Sequence, residues 1–325
     1  MKFATQDAQT SAGWQLAQAV ILDGRRLAKG TVLSDAQARA LGDQRVQVYK
    51  LEPEDLSEDA AALQLQSDIF GASLTLSCAR TGRVNALAEE AGLVVVDADG
   101  VARFNGAGEA LTLATLPHLQ RVEAGDLVAT LKIIPFGVHR TIVEAAKPDK
   151  ELLRVQPLRP KSISLIQTQP EAVQDRTLDK ARDALSARLS ALGSAIREEH
   201  RVAHRHDAVA QTLGHCRGEL IIIFPGAATQ DRRDVGPAGL VAAGGRVVHL
   251  GMPVDPGNLL FIGQLGETPV IGAPGCARSI AFNGFDWVLE RACADLFPSA
   301  RDIQALGVGG LLKEIPSRPL PRLKV

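Results

Sequence analysis

Residues 219–240 read ELIIIFPGAATQDRRDVGPAGL. The opening ELIIIF (219–224) is a short apolar run stopped by Pro225, which predicts a strand buried on both faces. Working outward, SISLIQ (162–167), RVVHLG (246–251) and PVIGA (269–273) read as further strands. Between and after them, residues 171–192 predict a helix with Leu178, Leu185, Leu189 and Leu192 on one face, and residues 278–296 predict a closing helix. Strand alternating with helix implies right-handed crossovers and a mostly parallel α/β sheet. In such a sheet ligands bind outside the carboxyl ends of the strands, near the point where the strand order reverses. Three loops are expected at that end: TQPE after 167, PGAATQDRRDVGP after 224 and PGCARS after 273.

The N-terminal half has a different texture. RVQVYKL, LVVVDADGVARF, LTLATL and DLVATLKIIPF predict short strands punctuated by Gly, Asp and Pro. SEDAAALQLQSDIFG predicts a helix opened by Ser57 with acids in its first turn. AKPDKELLRVQPLRPKS carries prolines and charges without a period and reads as a linker. The expected organisation is a mixed, strand-rich α+β domain over 1–157, an α/β domain over 158–300 and a tail over 301–325.

The chain of 325 residues is 46% hydrophobic and balances 36 basic against 37 acidic side chains, which suits a soluble protein of about two domains. That balance argues against an electrostatic grip on nucleic acid or an anionic membrane. No apolar run of membrane-spanning length occurs and the N-terminus lacks a secretory layout, so a cytoplasmic protein is expected. Cys78, Cys216, Cys276 and Cys293 form no C-x-x-C pair, which indicates neither a zinc ribbon nor a disulfide framework.

The loops carry the candidate chemistry. The loop 225–237 begins with small residues, Gly226, Ala227, Ala228 and Thr229, which let backbone approach a flat or phosphorylated ligand. Asp231, Arg232, Arg233 and Asp234 follow, offering carboxylate acceptors for the N–H edge of an aminopyrimidinone and basic anchors for an anion. A solvated surface loop is the plainer alternative, and composition alone favours it. In PGCARS, Cys276 precedes a predicted helix with Arg278 beside it and Ser279 able to cap; the helix N-terminus would bind an anion and lower the thiol pKa. An inert apolar cysteine is the commoner case.

Three further features each carry two readings. His200, His204 and His206 in EEHRVAHRHD resemble a metal cluster, but charged neighbours suggest a solvated strand end and no Cys or carboxylate completes a first shell nearby in sequence. ARTGRVNALAEEAG (79–92) places Thr81, Gly82, Arg83 and Asn85 at an expected helix mouth, a second anion-binding turn or a simple capped start. GLVAAGGRVVHLG suggests the strand entry of a nicotinamide-dependent dehydrogenase, a weak alternative because no G-x-G-x-x-G follows any strand.

Taken together, PGAATQDRRDVGPAGL, PGNLLFIG and PGCARSIAFNGFDWVL resemble, in order, motifs of the molybdopterin-binding domain shared by molybdopterin adenylyltransferases and molybdotransferases. The resemblance covers about 160–297. LGVGGLLKEIPSRP (306–319), together with GRRLAKGTVLSDAQARAL and TGRVNA in the first half, is similar to a subgroup often fused to a nucleotidyltransferase domain. It implies a three-layer, mostly parallel molybdopterin-binding domain, a role in cofactor biosynthesis, assembly or hand-over to a molybdoenzyme client, and homo-oligomers. It further implies a pterin-phosphate site at Thr168, Gly226, Ala227, Ala228, Pro274, Gly275, Cys276, Arg278 and Ser279, with Asp231 or Asp234 catalytic and Asp231 a ligand for Mg²⁺. A non-catalytic carrier or scaffold is the alternative. The chain departs from the family pattern at Phe224-Pro225-Gly226, where that pattern has Thr-Gly-Gly, at Asn258, where it has Lys, and at Cys276-Ala277, where it has Asn-Pro.

Overall fold

Alternate residues of the decisive apolar run go to opposite sides of a sheet: Leu220, Ile222 and Phe224 join one apolar cluster, Ile221 and Ile223 another. The strand is covered on both faces, as an uninterrupted apolar run requires. The computed structural model describes residues 1–312 and is mixed α/β with several sheets. Contacts divide it into two units, Met1–Pro157 and a second that begins at Leu158.

The second unit is built from β1 (Ser162–Gln169), α1 (Asp175–Ser190), β2 (Ala195–Ala203), α2 (His206–Leu213), β3 (Leu220–Phe224), α3 (Val235–Ala242), β4 (Arg246–Leu250), β5 (Phe261–Leu265), β6 (Thr268–Gly272), α4 (Gly284–Cys293) and α5 (Ala300–Ala305). One six-stranded sheet has the order β2-β1-β3-β6-β5-β4. β1 pairs in parallel with β2 and β3, and β3 with β6, while β5 lies antiparallel to both β6 and β4. Two antiparallel steps return β4 to the direction of β6, so every strand but β5 ends on the same side. Leu185 and Leu189 of α1 and Phe285, Val288 and Leu289 of α4 pack with Leu165 and Ile222 on one face; Val209 and Leu213 of α2 and Leu240 of α3 pack with Ile166 and Ile223 on the other. The chain leaves β1 through α1 to reach β2 and returns through α2 to reach β3 on the other side. The strand order therefore reverses at β1 and opens a crevice beyond β1 and β3.

α4 begins at Gly284, not at 278. Residues Gly275–Arg278 make a single 3₁₀ turn, and the helix starts where Asn283 and Asp286 close a capping box. Arg188 of α1 explains the delay. Its buried guanidinium bonds Asp286 Oδ1 at 2.7 Å and the carbonyls of Ala277 at 3.0 Å, Ser279 at 2.5 Å and Ala281 at 3.0 Å. Those carbonyls are taken from helical pairing and fixed on one cation. At the C-terminal end, α5 crosses residue 301, and Ile303 is fully buried in the core. Of the motif at 306–319, residues 313–319 lie outside the described residues.

In the first unit the helix Glu58–Ile69 is capped by Ser57, whose Oγ accepts the Ala60 N–H at 3.2 Å. It buries Ala61, Leu65 and Ile69 against Val84, Leu131 and Ile133 of a four-stranded antiparallel sheet. Three expectations fail here. The segment read as a linker ends in the strand Leu153–Pro157, paired with Gly92–Val96, with Leu152, Leu153 and Val155 buried; Pro148 and Pro160 fall outside the paired residues and Pro157 is the last of them. The strand expected over 93–104 stops at Val96 because Asp97 caps a helix, Ala98–Gly106, by accepting the Gly100 N–H at 2.9 Å. Residues Arg83–Ala88 form a strand burying Val84, Ala86 and Ala88 at period two, so Thr81 and Gly82 turn a hairpin and do not open a helix.

Removing one partner of a buried ion pair leaves a charge without compensation. Arg188→Leu should lower the stability of the second unit by ~3–5 kcal/mol, read by urea unfolding of Trp287 fluorescence in a Trp14→Phe background; a loss below ~1 kcal/mol, the range of exposed pairs, would refute the role.

Candidate functional site

The crevice is closed by hydrogen bonds between strand ends. Thr168, fully buried near the end of β1, accepts the Gly226 N–H on its Oγ1 at 2.6 Å and lies 2.8 Å from His204 Nδ1. The hydroxyl oxygen accepts the amide, and its further hydrogen bond with Nδ1 takes its direction from the His204 tautomer. Burial pushes the His204 pKa down, opposed by the charge of Asp234. Gly226 allows this approach: a Cβ there would stand 2.1 Å from Pro170 Cδ and 2.6 Å from the Thr168 carbonyl oxygen. From the third loop, the Arg278 guanidinium donates to the Pro225 carbonyl, so the loops after β3 and β6 are also joined.

Beside these bonds is a cavity of about 160 Å³ lined by His204, Pro225, Ala227, Ala228, Thr229, Arg233, Asp234 and Val235. That is roughly half the smallest volume that encloses a drug-sized ligand (~300 Å³), so it suits one end of a cofactor. Asp234 belongs to its wall, with Oδ2 accepting the N–H groups of Gln230 at 2.7 Å and Asp231 at 2.9 Å. Asp231 does not line the cavity. Its carboxylate accepts Arg233 Nε at 2.6 Å and the Arg233 N–H at 2.9 Å, and the guanidinium holds it below the usual carboxylate range.

Of the residues singled out in the sequence, the structure gathers Thr168, Gly226, Ala227, Ala228 and Asp234, with Arg278 joined through Pro225. Pro274 is buried at the start of the turn; Gly275 and Ser279 are exposed and Cys276 is half-buried. None of these four lines the cavity. With α4 starting at Gly284, Ser279 caps no helix and instead accepts the Ala281 N–H at 3.3 Å, and Cys276 lies outside the first turn where a helix field acts. The first Pro-Gly corner is structural: Pro256 accepts the Gly284 N–H at 2.9 Å, and Gly257, at φ +140°, could not carry a Cβ without meeting Gly284 backbone at 2.9 Å.

The histidines separate. His204 joins the crevice, His206 is exposed at the start of α2, and His200 faces Glu198. Sequence reasoning places His204 only in a candidate metal cluster, although it follows the end of a strand as the three chosen loops do. The dehydrogenase reading fails on direction, because Gly244 and Gly245 enter β4 and a dinucleotide turn must leave a strand. No helix among the described residues is long and apolar enough to cross a membrane.

No family model and no curated protein matches the sequence. Among solved structures, the chain is similar to the molybdopterin biosynthesis MoeA protein from Pyrococcus horikosii, with a TM-score of 0.31 and 10% identity over 91% of this chain and 75% of that one. Similarity at that level fixes neither family nor activity.

Two outcomes follow from the geometry. Gly226→Ala should destabilise the second unit by ~1–3 kcal/mol through forced displacement of Pro170, measured by urea unfolding; an unchanged midpoint would refute the close approach. His204 has a folded pKa below its ordinary 6.5, so the unfolded chain binds more protons and stability should fall as pH drops below that value. His204→Asn, which keeps a hydrogen-bond partner for Thr168 but does not titrate, should flatten that part of the profile. An identical acid limb in both proteins would count against it.

Proposed function

We propose that the second unit is a three-layer, mostly parallel molybdopterin-binding domain, acting in molybdenum cofactor biosynthesis, assembly or hand-over. One end of the pterin enters the cavity beside Gly226. The observation that carries this reading is the joining of the strand-end loops at the crevice, Gly226 to Thr168 and Arg278 to Pro225. Those loops carry two of the three motifs that resemble the molybdopterin-binding family. Asp234, fixed in the cavity wall by two amides, suits the paired N–H donors of an aminopyrimidinone edge.

Between catalyst and carrier, one contact favours the carrier. The Arg233 guanidinium sits on Asp231 Oδ1, and a cation bound to the carboxylate repels a second one at the other oxygen. The departures at Phe224-Pro225-Gly226 and Asn258 remove a hydroxyl and a cation from the family pattern. Under this reading a separate nucleotidyltransferase, a molybdoenzyme client and self-association are expected partners, and the unit Met1–Pro157 is an accompanying domain.

The protein, purified without oxygen from cells that make molybdenum cofactor, should release a fluorescent pterin on oxidation, with molybdenum in the same extract if it serves hand-over. Pterin without metal would move it to an earlier biosynthetic step. Folded protein from a competent host with no pterin would overturn the assignment.

A further inference from the structure

A second cluster of chemically active side chains lies away from the crevice, on the face of the sheet covered by α2 and α3. Glu198 and His200 are two residues apart on β2 and so point to the same side. Cys216, in the connection from α2 to β3, reaches them, and one ligand atom from each of the three lies within 4.8 Å of the others. Ser164, paired with Glu198 in the sheet register, precedes Thr168 by about 13 Å along β1 at ~3.3 Å per residue, so the cluster is separate from the crevice.

We propose that Glu198, His200 and Cys216 bind one divalent cation of the Zn²⁺ class. Four observations support the site. Among the described residues, four buried side-chain nitrogen or oxygen atoms lack a hydrogen-bond partner, and His200 Nε2 is the only nitrogen of them. A buried nitrogen left in this way needs a physical explanation. Its neighbour is Glu198 Oε2 at 3.6 Å, too far for a hydrogen bond. Yet two ligands on one tetrahedral Zn²⁺ stand roughly 3.3–3.8 Å apart, given the usual Zn–N, Zn–O and Zn–S lengths.

The carboxylate is also oriented. Glu198 Oε1 takes the Ser164 hydroxyl and the Arg217 N–H, and Ser164 in turn accepts the Gly218 N–H at 2.8 Å. Both donors fall on one oxygen, which leaves Oε2 as the one beside the imidazole; such outer contacts are how metal ligands are held. Lastly, the donor set is selective. Thiolate and imidazole suit Zn²⁺ over Mg²⁺ or Ca²⁺, and thiolate with carboxylate neutralises the dication. On binding, Cys216 exchanges its S–H, now 3.5 Å from the Thr212 carbonyl, for a metal–sulfur bond, and the proton leaves to solvent. Three protein ligands leave a fourth position for water. The side chains of His200 and Glu198 are 30% and 25% exposed, which gives the ion a route in.

The test is Co²⁺ titration of the full chain, freed of metal with a chelator and kept without oxygen. One equivalent should bind with visible bands of four-coordinate cobalt and a near-ultraviolet thiolate-to-cobalt band, and Zn²⁺ should displace it. Cys216→Ser should lose the thiolate band, His200→Ala should weaken binding more than tenfold, and Ser164→Ala, acting through Glu198, should weaken it by ~10-fold or more. Unfolding of each variant in chelator, compared with the parent, separates ligand loss from misfolding. As a second readout, Zn²⁺ should slow alkylation of Cys216, located by mass spectrometry, but not of exposed Cys78. A bound cobalt spectrum without the thiolate band, a band unchanged in Cys216→Ser, or alkylation of Cys216 indifferent to Zn²⁺ would each overturn the proposal.

Discussion

The guanidinium of Arg188 is the constraint on which the crevice depends. Placed in an apolar layer by α1, it cannot give up its charge and must satisfy its donors. It does so with three carbonyls of the segment after β6 and with the carboxylate that caps α4. The segment is thereby held against the sheet, Arg278 within it reaches the Pro225 carbonyl, and the next residue, Gly226, reaches Thr168. One buried cation thus sets, through a short series of contacts, the relative position of three loops. The chain is mostly backbone at its acceptor ends, so the crevice keeps its form without help from exposed side chains.

The same contacts orient peptide groups. In a trans peptide the carbonyl of one residue and the N–H of the next point in opposite directions. Carbonyls of Ala277, Ser279 and Ala281 turned toward Arg188 therefore send the N–H groups of Arg278, Ile280 and Phe282 away from it. An anion-binding face at this loop would come from this arrangement and not from a helix terminus, which lies further on at Gly284. The helix terminus on which the sequence reading relied is thus absent from residues 275–279.

What was legible in the sequence is what local chemistry decides. The runs that became β1, β3 and β6 are apolar and stopped by Gly or Pro, and no tertiary contact alters that. Ser57 marks its helix because a hydroxyl before two acids acts within one turn. The misreadings share the opposite property. Residues 153–157 look like a linker until Gly92–Val96 pairs with them, and Ser279 looks like a cap until a cation from α1 takes its carbonyl. Of the crevice residues, Thr168, Gly226 and Asp234 are legible as members of strand-end loops. The charged neighbours of His204 hide it, and the company of Glu198 and His200 is invisible in sequence because Cys216 arrives only through the α2 connection.

The edge strand β2 carries Arg197, Glu198, Glu199 and Arg201 in its nine residues, with Arg201 bonded to Glu199 and to Asp179 of α1. An outermost strand offers unpaired backbone to any other strand that meets it. Here a second copy would have to bring its own strand alongside alternating charges already engaged with α1. Extension of the sheet across molecules is thus disfavoured at this border.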